Sequence, residues 1–384
     1  MNIFNFQFSW IELITFAILF IAFVHQLYYY VRYLGGILRQ NKRIKKNKIS
    51  FNTAKPPVSV IIAAKDEEDN LRDFLPKILE QDYPKFEVIV IDDASSDETN
   101  TILDQFKDKY PNIRTTFVPH GTKNIRTKKL AITLGVKAAK YDILLFTDAD
   151  CCPEDNTWIA QMVRNFNSET EFVLAYGAYL PKNGFLNRLI TYDTLFIAMQ
   201  YLGMSVAGKP YMGVGRNLAY RKEVFFKLKG FSSNLDILSG DDDLLVNKGS
   251  TAKNTTIEIS KKSLTLSEPK KRFRDWYYQK MRHLSSSVKY KEITKMRLFA
   301  EPFTRGLFYL AFILTVVFGN LITLAAAVFL FLARLIAQLI VINKTARLYD
   351  KRRYYFLLPV LDILLPLINL YIMIFEKKRK VKWK

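Results

Sequence analysis

The sequence predicts an α/β domain on a mostly parallel sheet, framed by apolar segments long enough to cross a membrane. Between residues 50 and 300, short apolar runs rich in β-branched residues alternate with segments of helical periodicity, which is typical of crossover units in a parallel sheet. Mostly apolar stretches of roughly 20 residues or more lie on both sides of this region. Hydrophobic residues make up 49% and charged residues 24% of the chain, which excludes an intrinsically disordered protein.

The first apolar segment, Trp10 to Tyr30, would form a helix of ~30 Å, which matches the thickness of a bilayer core. A basic stretch follows it, because residues 32–48 hold seven basic and no acidic side chains. By the positive-inside rule, we expect the N-terminus outside and the following domain in the cytoplasm, as in an integral protein of the inner (cytoplasmic) membrane. We therefore predict a transmembrane helix in residues 1–31 and a basic juxtamembrane linker in residues 32–55.

The formal net charge of +21 is concentrated beside the apolar segments. The excess lies in four stretches: residues 32–48, 261–297, 343–353 and 376–384. A general nucleic-acid binder carries positive charge on its folded body, whereas these stretches lie where a membrane surface would be. The distribution therefore predicts a membrane partner and no nucleic acid. The two cysteines, Cys151 and Cys152, are adjacent, so they predict neither a disulfide framework nor a zinc site.

The α/β domain is expected in residues 56–260. Four apolar runs are predicted as strands, at residues 58–64, 86–91, 114–118 and 142–147. Three segments between them have helical periodicity, at residues 66–81, 97–106 and 127–139. The strands are apolar throughout, as expected for strands that are buried on both faces. Ligands of such sheets bind beyond the carboxyl ends of the strands, so the residues directly after each strand are the candidates for chemistry.

Residues 261–302 are expected to form amphipathic helices at the membrane surface, because basic side chains flank an aromatic run there. The run consists of Trp276, Tyr277 and Tyr278. These aromatic side chains fit either packing against the surface or core, or a sugar-stacking platform.

Residues 303–376 are expected to form a membrane region. Two spans are predicted, at Phe303–Phe318 and Leu321–Ile342, with a turn signal at Gly319-Asn320 between them. Arg334 lies inside the second span and is expected to face protein rather than lipid.

The last apolar stretch, Tyr354 to Phe375, is interrupted by polar residues and prolines: Pro359, Asp362, Pro366 and Asn369. A fourth crossing here would place the basic tail, residues 377–384, outside the cell, against the positive-inside rule. We therefore expect a broken, interfacial or re-entrant segment, with a full crossing by residues 354–375 as the alternative.

Acidic side chains follow three of the four predicted strands. They lie at residues 66–68, at residues 92–97 and at Asp148 and Asp150. Carboxylates at one edge of a sheet repel each other unless a cation joins them. Two carboxylates two residues apart can hold Mg²⁺ or Mn²⁺ together with a diphosphate, because these ions prefer oxygen ligands. The alternative is an ordinary solvated loop.

Five motifs in the same order resemble those of family 2 glycosyltransferases, which have the GT-A fold. They are PPVSVIIAAKDEEDNL, FEVIVIDDASSDET, KKLAITLGVKAAKYDILLFTDADC, SGDDDLL at residues 239–245 and QKMRH at residues 279–283. The resemblance covers roughly residues 56–285. It implies a Rossmann-like, mostly parallel GT-A domain with one N-terminal and two to three C-terminal membrane helices. The membrane frame is similar to that of lipid- and polysaccharide-directed members.

The resemblance implies a donor-binding role for the residues after the first strands. The residues expected to hold the base and ribose of the nucleotide are Ala63, Ala64, Glu67 and Asp93. Lys128 is expected near the nucleotide or diphosphate. Asp148 and Asp150 are expected to bind the metal, with Asp148 also on the donor side. Asp66 stands where the family usually has Asn.

The resemblance also implies the acceptor side of the site. Asp242, or its neighbour Asp241, is expected to be the general base. Which of the three aspartates through Asp243 acts stays open, because Gly-Asp-Asp-Asp replaces the family's Thr-Glu-Asp. Gln279 and Arg282 are expected near the leaving diphosphate and the acceptor.

The last motif departs from the family at one position, where His283 replaces a tryptophan. The glycine-containing segments 176–179 and 211–215 are candidates for the acceptor pocket. The run from Gly213 to Asn217 comes nearest to a glycine-rich phosphate loop, but its spacing differs.

The expected reaction is the transfer of a sugar from a nucleotide sugar, UDP- or GDP-linked, to a lipid or lipid-linked acceptor. The leaving diphosphate gains negative charge that a cation and a guanidinium can stabilise, and the acceptor hydroxyl needs a carboxylate to take its proton. One base opposite the leaving group implies direct displacement with inversion. A processive polysaccharide synthase and a non-catalytic nucleotide-sugar-binding membrane protein are the alternatives.

Overall fold

The computed structural model describes residues 9–119, 127–235, 237 and 239–375. The strands are β1 (Val58–Ala64), β2 (Phe86–Asp92), β3 (Ile113–Phe117), β4 (Ile143–Phe146), β5 (Cys151–Pro153), β6 (Phe172–Leu174), β7 (Gly177–Tyr179), β8 (Leu218–Arg221), β9 (Thr255–Ile257) and β10 (Thr265–Ser267). The helices are α1 (Trp10–Tyr29), α2 (Gly36–Lys45), α3 (Glu68–Leu79), α4 (Thr99–Lys109), α5 (Thr127–Ala138), α6 (Trp158–Val163), α7 (Phe185–Val206), α8 (Lys222–Lys227), α9 (Asp243–Gly249), α10 (Phe273–Ser287), α11 (Glu292–Phe318), α12 (Leu321–Leu348) and α13 (Leu358–Phe375).

The main sheet has the strand order β3-β2-β1-β4-β8-β6-β9. β1 pairs in parallel with β2 and β4, so that Val58 lies opposite both Phe86 and Ile143. β8 is antiparallel to β4 and β6. A second, three-stranded sheet has the order β5-β10-β7. The mostly parallel sheet is therefore confirmed, and the limits of its four predicted strands agree with β1 to β4 to within one residue.

Both faces of the main sheet are buried. Ile61 of β1 and Ile91 of β2 point into one core cluster. Val60, one residue from Ile61, and Val88, three residues from Ile91, point into the other. The alternation follows from the pleat of the strands, because successive side chains point to opposite faces. The continuous apolar runs in the sequence thus reflect two cores and not one.

Helices α1, α11 and α12 form an antiparallel bundle. At one end, the backbone N–H of Asn320, in the turn between α11 and α12, donates to Glu12 of α1 at 2.6 Å. At the other end, Gln26 Nε2 of α1 donates to the carbonyl of Glu301 in α11 at 3.0 Å. Together with α13, these helices are four that are long and apolar enough to cross a membrane. Within the described residues, these four candidate spans, one N-terminal and three C-terminal, agree with the predicted fold class.

The bundle joins the α/β domain through two glycines. A Cβ atom on Gly203 of α7 would lie 1.8 Å from the carbonyl oxygen of Tyr33, and one on Gly36 would lie 2.5 Å from the Cα of Gly203. No side chain fits at either position, so the backbones of α2 and α7 make direct contact. The α/β domain is thereby held against the end of α1 where Gln26 lies.

The structure contradicts a break in the last apolar segment, because Leu358–Phe375 forms one continuous helix, α13, while an interfacial position and a full crossing both stay predictions. Pro359 lies in the first turn, where a backbone N–H has no partner within the helix and its loss costs nothing. Asp362 is fully buried, but its charge faces Arg305 at 3.1 Å and Arg334 at 2.9 Å. Arg334 therefore faces protein, as predicted. The basic residues of the tail lie outside the described residues.

Candidate active site

The carboxyl ends of β1 and β4 open onto one pocket. It is lined by Ile61, Ala63, Lys128, Ile132, Phe146, Thr147, Asp148, Gly215, Leu218, Tyr220, Asp241 and Asp242. Five of these residues are predicted site residues that lie up to 179 positions apart in sequence, from Ala63 to Asp242. The parallel sheet brings them together because the ends of parallel strands meet at one edge.

Lys128 connects two parts of this pocket. Its Nζ lies 3.1 Å from Asp148 Oδ1 and 3.4 Å from Asp241 Oδ2. Burial opposes the charged form, but the surrounding carboxylates of Asp148, Asp241 and Asp242 outweigh it and raise the pKa of Lys128. Lys128 therefore stays protonated and carries positive charge between the two aspartate motifs. The next residue, Lys129, is buried and donates to the carbonyls of Asn234 at 2.5 Å and Ile237 at 2.8 Å.

Asp148 and Asp150 follow β4 on a tight loop that leads into β5. Oxygen atoms of both carboxylates and the Cys151 thiol lie within 4.8 Å of one another. Burial favours the neutral form of Asp148, but Lys128 outweighs burial and lowers the pKa of this carboxyl. Burial and the nearby Asp148 charge raise the pKa of Asp150.

This donor set fits a hard divalent cation. Two carboxylates that face one spot repel each other. Burial, and after it this repulsion from Asp148, raise the pKa of Asp150. Burial also raises the pKa of the Cys151 thiol well above its usual range, so the sulfur is protonated and hydrogen-bonds with Ser267 Oγ at 2.7 Å. A protonated thiol is a poor ligand, so oxygen atoms remain as ligands, and these suit Mg²⁺ or Mn²⁺.

The Gly-Asp-Asp-Asp segment places its three carboxylates in three environments. Asp243 is buried and accepts hydrogen bonds from Ser286 Oγ and from Tyr290 OH, the latter at 2.6 Å. Asp241 faces Lys128. Asp242 caps α9 by accepting from the N–H of Asp243 at 2.8 Å, and it also accepts from the N–H of Gly215.

Asp242 has a pKa near neutrality. Burial, and after it the charges of Asp241 and Asp243, raise the pKa of Asp242 to about 7. A carboxyl with this pKa can accept a proton at neutral pH and can also give it up.

Arg216 is a site residue that the sequence did not single out. Its Nη1 donates to Ser267 Oγ at 3.4 Å, and its guanidinium lies 4.5 Å from the ring centre of Tyr179. Burial opposes the charge of Arg216, but Tyr179, Cys151, Asp148 and Asp150 outweigh burial and raise its pKa. A Cβ atom on Gly177 would lie 3.0 Å from Arg216 Cβ, so this glycine leaves room for the arginine. The two glycines that precede Arg216, Gly213 and Gly215, and Gly177 in β7 were the available signal.

Helix α10 carries the last motif and is anchored to α7. Lys280 Nζ lies 2.7 Å from Asp193 Oδ2 in a buried ion pair, and Trp276 packs in the domain core. Gln279 Nε2 donates to Tyr179 OH at 3.0 Å, which connects α10 to the Arg216 side of the site. Arg282 is half-buried and close enough to Asp148 to help lower its pKa. Trp276 therefore serves core packing, which decides one of the two alternatives for this aromatic residue.

The predicted donor side lies at the same sheet edge. The backbone N–H of Asp93 donates to the carbonyl of Ala64 at 2.8 Å, and both side chains are buried. Glu67 follows Asp66 and accepts a hydrogen bond from Asn70 Nδ2. Asp66 has a φ angle of +52°. Asn and Asp tolerate this left-handed conformation, which explains why Asp can stand at a position where the family usually has Asn.

Comparison with known proteins confirms the resemblance. Residues 59–228 match the family model described as glycosyl transferase family 2. The chain is 29% identical over 203 residues to the probable glycosyltransferase YdaM of Bacillus subtilis, which covers 50% of this chain and 46% of that protein. It is 31% identical over 99 residues to poly-beta-1,6-N-acetyl-D-glucosamine synthase of Staphylococcus epidermidis, covering 26% and 23% of the two chains. The chain thus spans less than half the length of these curated relatives.

A solved structure shows the same fold. The mannosyltransferase PcManGT from Pyrobaculum calidifontis, in complex with GDP-Man and Mn²⁺, superposes with a TM-score of 0.56 at 20% sequence identity. The match covers 89% of this chain and 100% of that structure. The expected GT-A fold is therefore confirmed.

Proposed function

We propose that the chain, whose residues 59–228 form a family 2 glycosyltransferase domain, transfers a sugar from a nucleotide sugar to an acceptor by direct displacement. One observation carries this proposal. Lys128 lies between Asp148 and Asp241 in a single pocket, and the same pocket is lined by Asp242, whose pKa is about 7. An inverting transfer needs both kinds of group in one pocket, with positive charge near the leaving diphosphate and a proton acceptor near the incoming hydroxyl.

The leaving-group side consists of cationic and metal-binding side chains. Asp148 and Asp150 would hold Mg²⁺ or Mn²⁺, which when bound supplies positive charge next to the diphosphate. Lys128 keeps its proton and holds Asp148 in place through the 3.1 Å ion pair. Arg216, close to Asp148 and Asp150, adds a fixed guanidinium that can bind phosphate oxygens. The PcManGT structure holds GDP-Man and Mn²⁺, which supports a nucleotide sugar and a divalent metal as the proposed ligands.

Asp242 is the best candidate for the base. Asp243 is engaged by Ser286 and Tyr290, and Asp241 by Lys128, so the charges of both have partners within the chain. Asp242 accepts only backbone hydrogen bonds among the contacts seen in the described residues, and it lines the pocket directly. Among the three aspartates, it therefore has the proton affinity and the access that a general base needs.

The acceptor is proposed to be a lipid or lipid-linked glycan at the cytoplasmic face of the membrane. Two contacts support this. The direct contact between α2 and α7 holds the pocket near the bundle, and α10 lies between Tyr179, which accepts from Gln279, and Tyr371 of the apolar helix α13, which lies beside Tyr277. A processive polysaccharide synthase is the second candidate, because one of the matched relatives is a named polymer synthase. The length of the product separates the two, since single transfer adds one sugar and processive synthesis yields long chains.

The test compares Asp242→Asn with Asp241→Asn in the purified protein, supplied with Mn²⁺, nucleotide sugars and a bacterial lipid extract. Asp242→Asn should lower turnover by roughly 10²–10⁴-fold, because it removes the proton acceptor without opening a cavity. The affinity for the nucleotide should stay unchanged, because the groups that bind the diphosphate lie elsewhere. Asp241→Asn should cost less.

Two results would contradict the assignment. If Asp241→Asn loses turnover while Asp242→Asn keeps it, Asp241 is the base. If no nucleotide sugar is turned over by the wild-type protein, and nucleotide sugars still bind, the non-catalytic alternative replaces the transferase.

A further inference from the structure

Helix α13 contacts the membrane bundle near its beginning. Asp362, in its second turn, pairs with Arg305 of α11 and Arg334 of α12. Arg305 also lies 5.3 Å from the ring centre of Phe196 in α7, so this contact belongs to the end of the bundle that meets the α/β domain. Asn320 and Glu12 mark the opposite end.

The second half of α13 stays beside the α/β domain. The ring of Tyr371 lies 6.4 Å from the ring of Tyr277 in α10. Tyr371 follows Asp362 by nine residues, or ~13 Å along a helix axis. A helix that entered the bilayer from Asp362 would carry Tyr371 that far from the domain. The contact with α10, which is anchored to α7 through Lys280, therefore requires α13 to run along the domain.

The buried side chains of α13 also indicate that this helix lies along the α/β domain. Leu358, Leu361 and Leu365 belong to the large core cluster that contains Tyr192 and Leu195 of α7. Most of this cluster lies in the α/β domain, and it also includes the ends of α1 and α12, at Tyr29 and Ile342. A separate apolar cluster lies between α1, α11 and α12, and it consists of Leu19, Ala22, Phe308, Ala311, Ala327 and Leu330. Within the part of the chain that the structure describes, none of its buried members comes from α13.

The other face of α13 is apolar and uncovered. The side chains exposed by about half are Val360, Ile363, Leu367, Leu370, Met373 and Ile374. A row of this length is too apolar for water, and the sequence places basic residues on both sides of it, at 351–353 and 377–380. Apolar residues flanked by basic ones fit a bilayer surface with anionic headgroups.

We propose that α13 is not a fourth crossing but an in-plane helix, seated in the membrane leaflet on the side of the α/β domain. The protein then crosses the bilayer three times, through α1, α11 and α12. The basic tail stays on the side of the α/β domain, which removes the conflict with the positive-inside rule. The inference rests on contacts of α13 and is independent of the proposed sugar transfer.

The first test measures the depth of spin labels in vesicles of phosphatidylcholine and phosphatidylglycerol. Cysteines are introduced on one face of α13 at Val360, Leu367 and Ile374, and on one face of α12 at Ile322, Phe329 and Ile336, all exposed positions. The native Cys151 and Cys152 are buried and should stay unlabelled. In each series the positions are seven residues apart, or ~10 Å along the helix. The α13 labels should report one shallow depth, whereas the α12 labels should change depth from one position to the next. A comparable progression of depth along α13 would overturn the proposal.

The second test locates the tail with a membrane-impermeant maleimide on intact and permeabilised cells. Leu321→Cys marks the far end of the bundle, and Lys253→Cys marks an exposed loop of the α/β domain. Lys384→Cys should show the labelling pattern of Lys253→Cys. If it shows the pattern of Leu321→Cys instead, α13 crosses the membrane and the proposal is wrong. Neither result depends on enzyme activity, so these tests are independent of the proposed function.

Discussion

Among the buried or half-buried charges of the described residues, two clusters differ in balance, one in the bundle and one at the sheet edge. The bundle cluster has two carboxylates and two guanidiniums, from Glu301, Asp362, Arg305 and Arg334. The sheet-edge cluster has five carboxylates, from Asp148, Asp150, Asp241, Asp242 and Asp243. The cations that perturb these carboxylates among the described residues are Lys128, Arg216, Arg282 and Lys270.

The balanced cluster satisfies its charges within the chain. Asp362 Oδ1 accepts from Gln338 at 2.9 Å and faces Arg305 at 3.1 Å. Its Oδ2 accepts from Tyr309 at 2.7 Å and from Arg334 at 2.9 Å. In a low-dielectric surrounding, such pairing of both carboxylate oxygens is the condition under which a buried carboxylate is tolerated.

The sheet-edge cluster leaves negative charge in excess. Burial, and then neighbouring carboxylates, raise the pKa values of Asp150 and Asp242, which shows that the chain alone does not compensate these charges. A site of this kind needs a cation, a proton or a substrate to complete it. The comparison teaches that balance within the chain indicates a structural role, and imbalance a functional one.

The largest expected effect comes from Asp150→Asn. Turnover should fall by roughly 10³-fold or more, because a metal ligand is lost, while the melting temperature should hold or rise, because an excess charge is removed. Nucleotide release with Mn²⁺ and thermal unfolding measure the two quantities. Asp104→Asn is the matched control, because the Asp104 side chain is 70% exposed on α4. It should change neither turnover nor the melting temperature. Full activity of Asp150→Asn, or of the wild type in EDTA, would remove the metal from the mechanism.

Asp362→Asn tests the other cluster. It leaves Arg305 and Arg334 without their shared carboxylate, so the protein should lose about 3 kcal/mol of stability, as is usual when one partner of a buried pair is removed. Thermal unfolding in detergent measures this loss. Replacing Asp362 and Arg334 together by leucine should recover part of it, because the remaining Glu301–Arg305 pair is balanced. A loss within the range of a surface pair, below about 1 kcal/mol, would contradict the structural role.

Arg216→Gln should deepen the imbalance at the sheet edge. We expect kcat/KM to fall by roughly 10²-fold. In binding experiments, the variant should also prefer a nucleoside diphosphate over the monophosphate less strongly than the wild type does. Arg221→Gln provides the control, because Arg221 bonds the carbonyls of Thr170 and Asn167 through its guanidinium. Equal effects of the two substitutions would show that Arg216 acts only in folding.

The smallest effect concerns pH. Asp242 must be ionised to accept a proton and its pKa is about 7, so kcat/KM should fall about tenfold per unit as the pH drops below that value. Because the folded pKa lies above the unfolded one of 3.8, folding favours the protonated form, and stability should decline as pH rises from 3.8 to about 7. Asp242→Asn should therefore flatten both profiles. A wild-type activity that is constant from pH 6 to 8 would contradict this assignment.

The members of the sheet-edge cluster could not all be predicted from the sequence. Asp148, Asp241, Asp242 and Lys128 could be expected together, because they belong to recognisable motifs at strand ends or a helix start. Arg216 could not, because its position depends on the pairing of β7 with β10, whose register places Gly177 opposite Thr265. Pairing between segments so far apart in sequence leaves no local pattern.

The same contrast holds for α13. Its apolar composition predicted a membrane-associated segment, but its prolines and Asp362 indicated a break that does not occur. Arg305 and Arg334, on two other helices, supply the charges that let Asp362 lie in a continuous helix. Helix propensity is a property of one segment. Whether a charged side chain can be buried depends on partners that the rest of the fold provides.

The sequence by itself therefore determined the α/β class, the limits of the first four strands, the apolar helices and which acidic residues follow the strands, because hydrophobic periodicity and strand-end motifs are local. Only the tertiary structure decided how charges are shared: Lys128 between Asp148 and Asp241, Asp243 with Tyr290, and Asp362 between two arginines. The physical reason is that the energy of a charge in a protein depends on its distance to other charges and on its exposure to water. Both are properties of the folded chain and not of any segment of it.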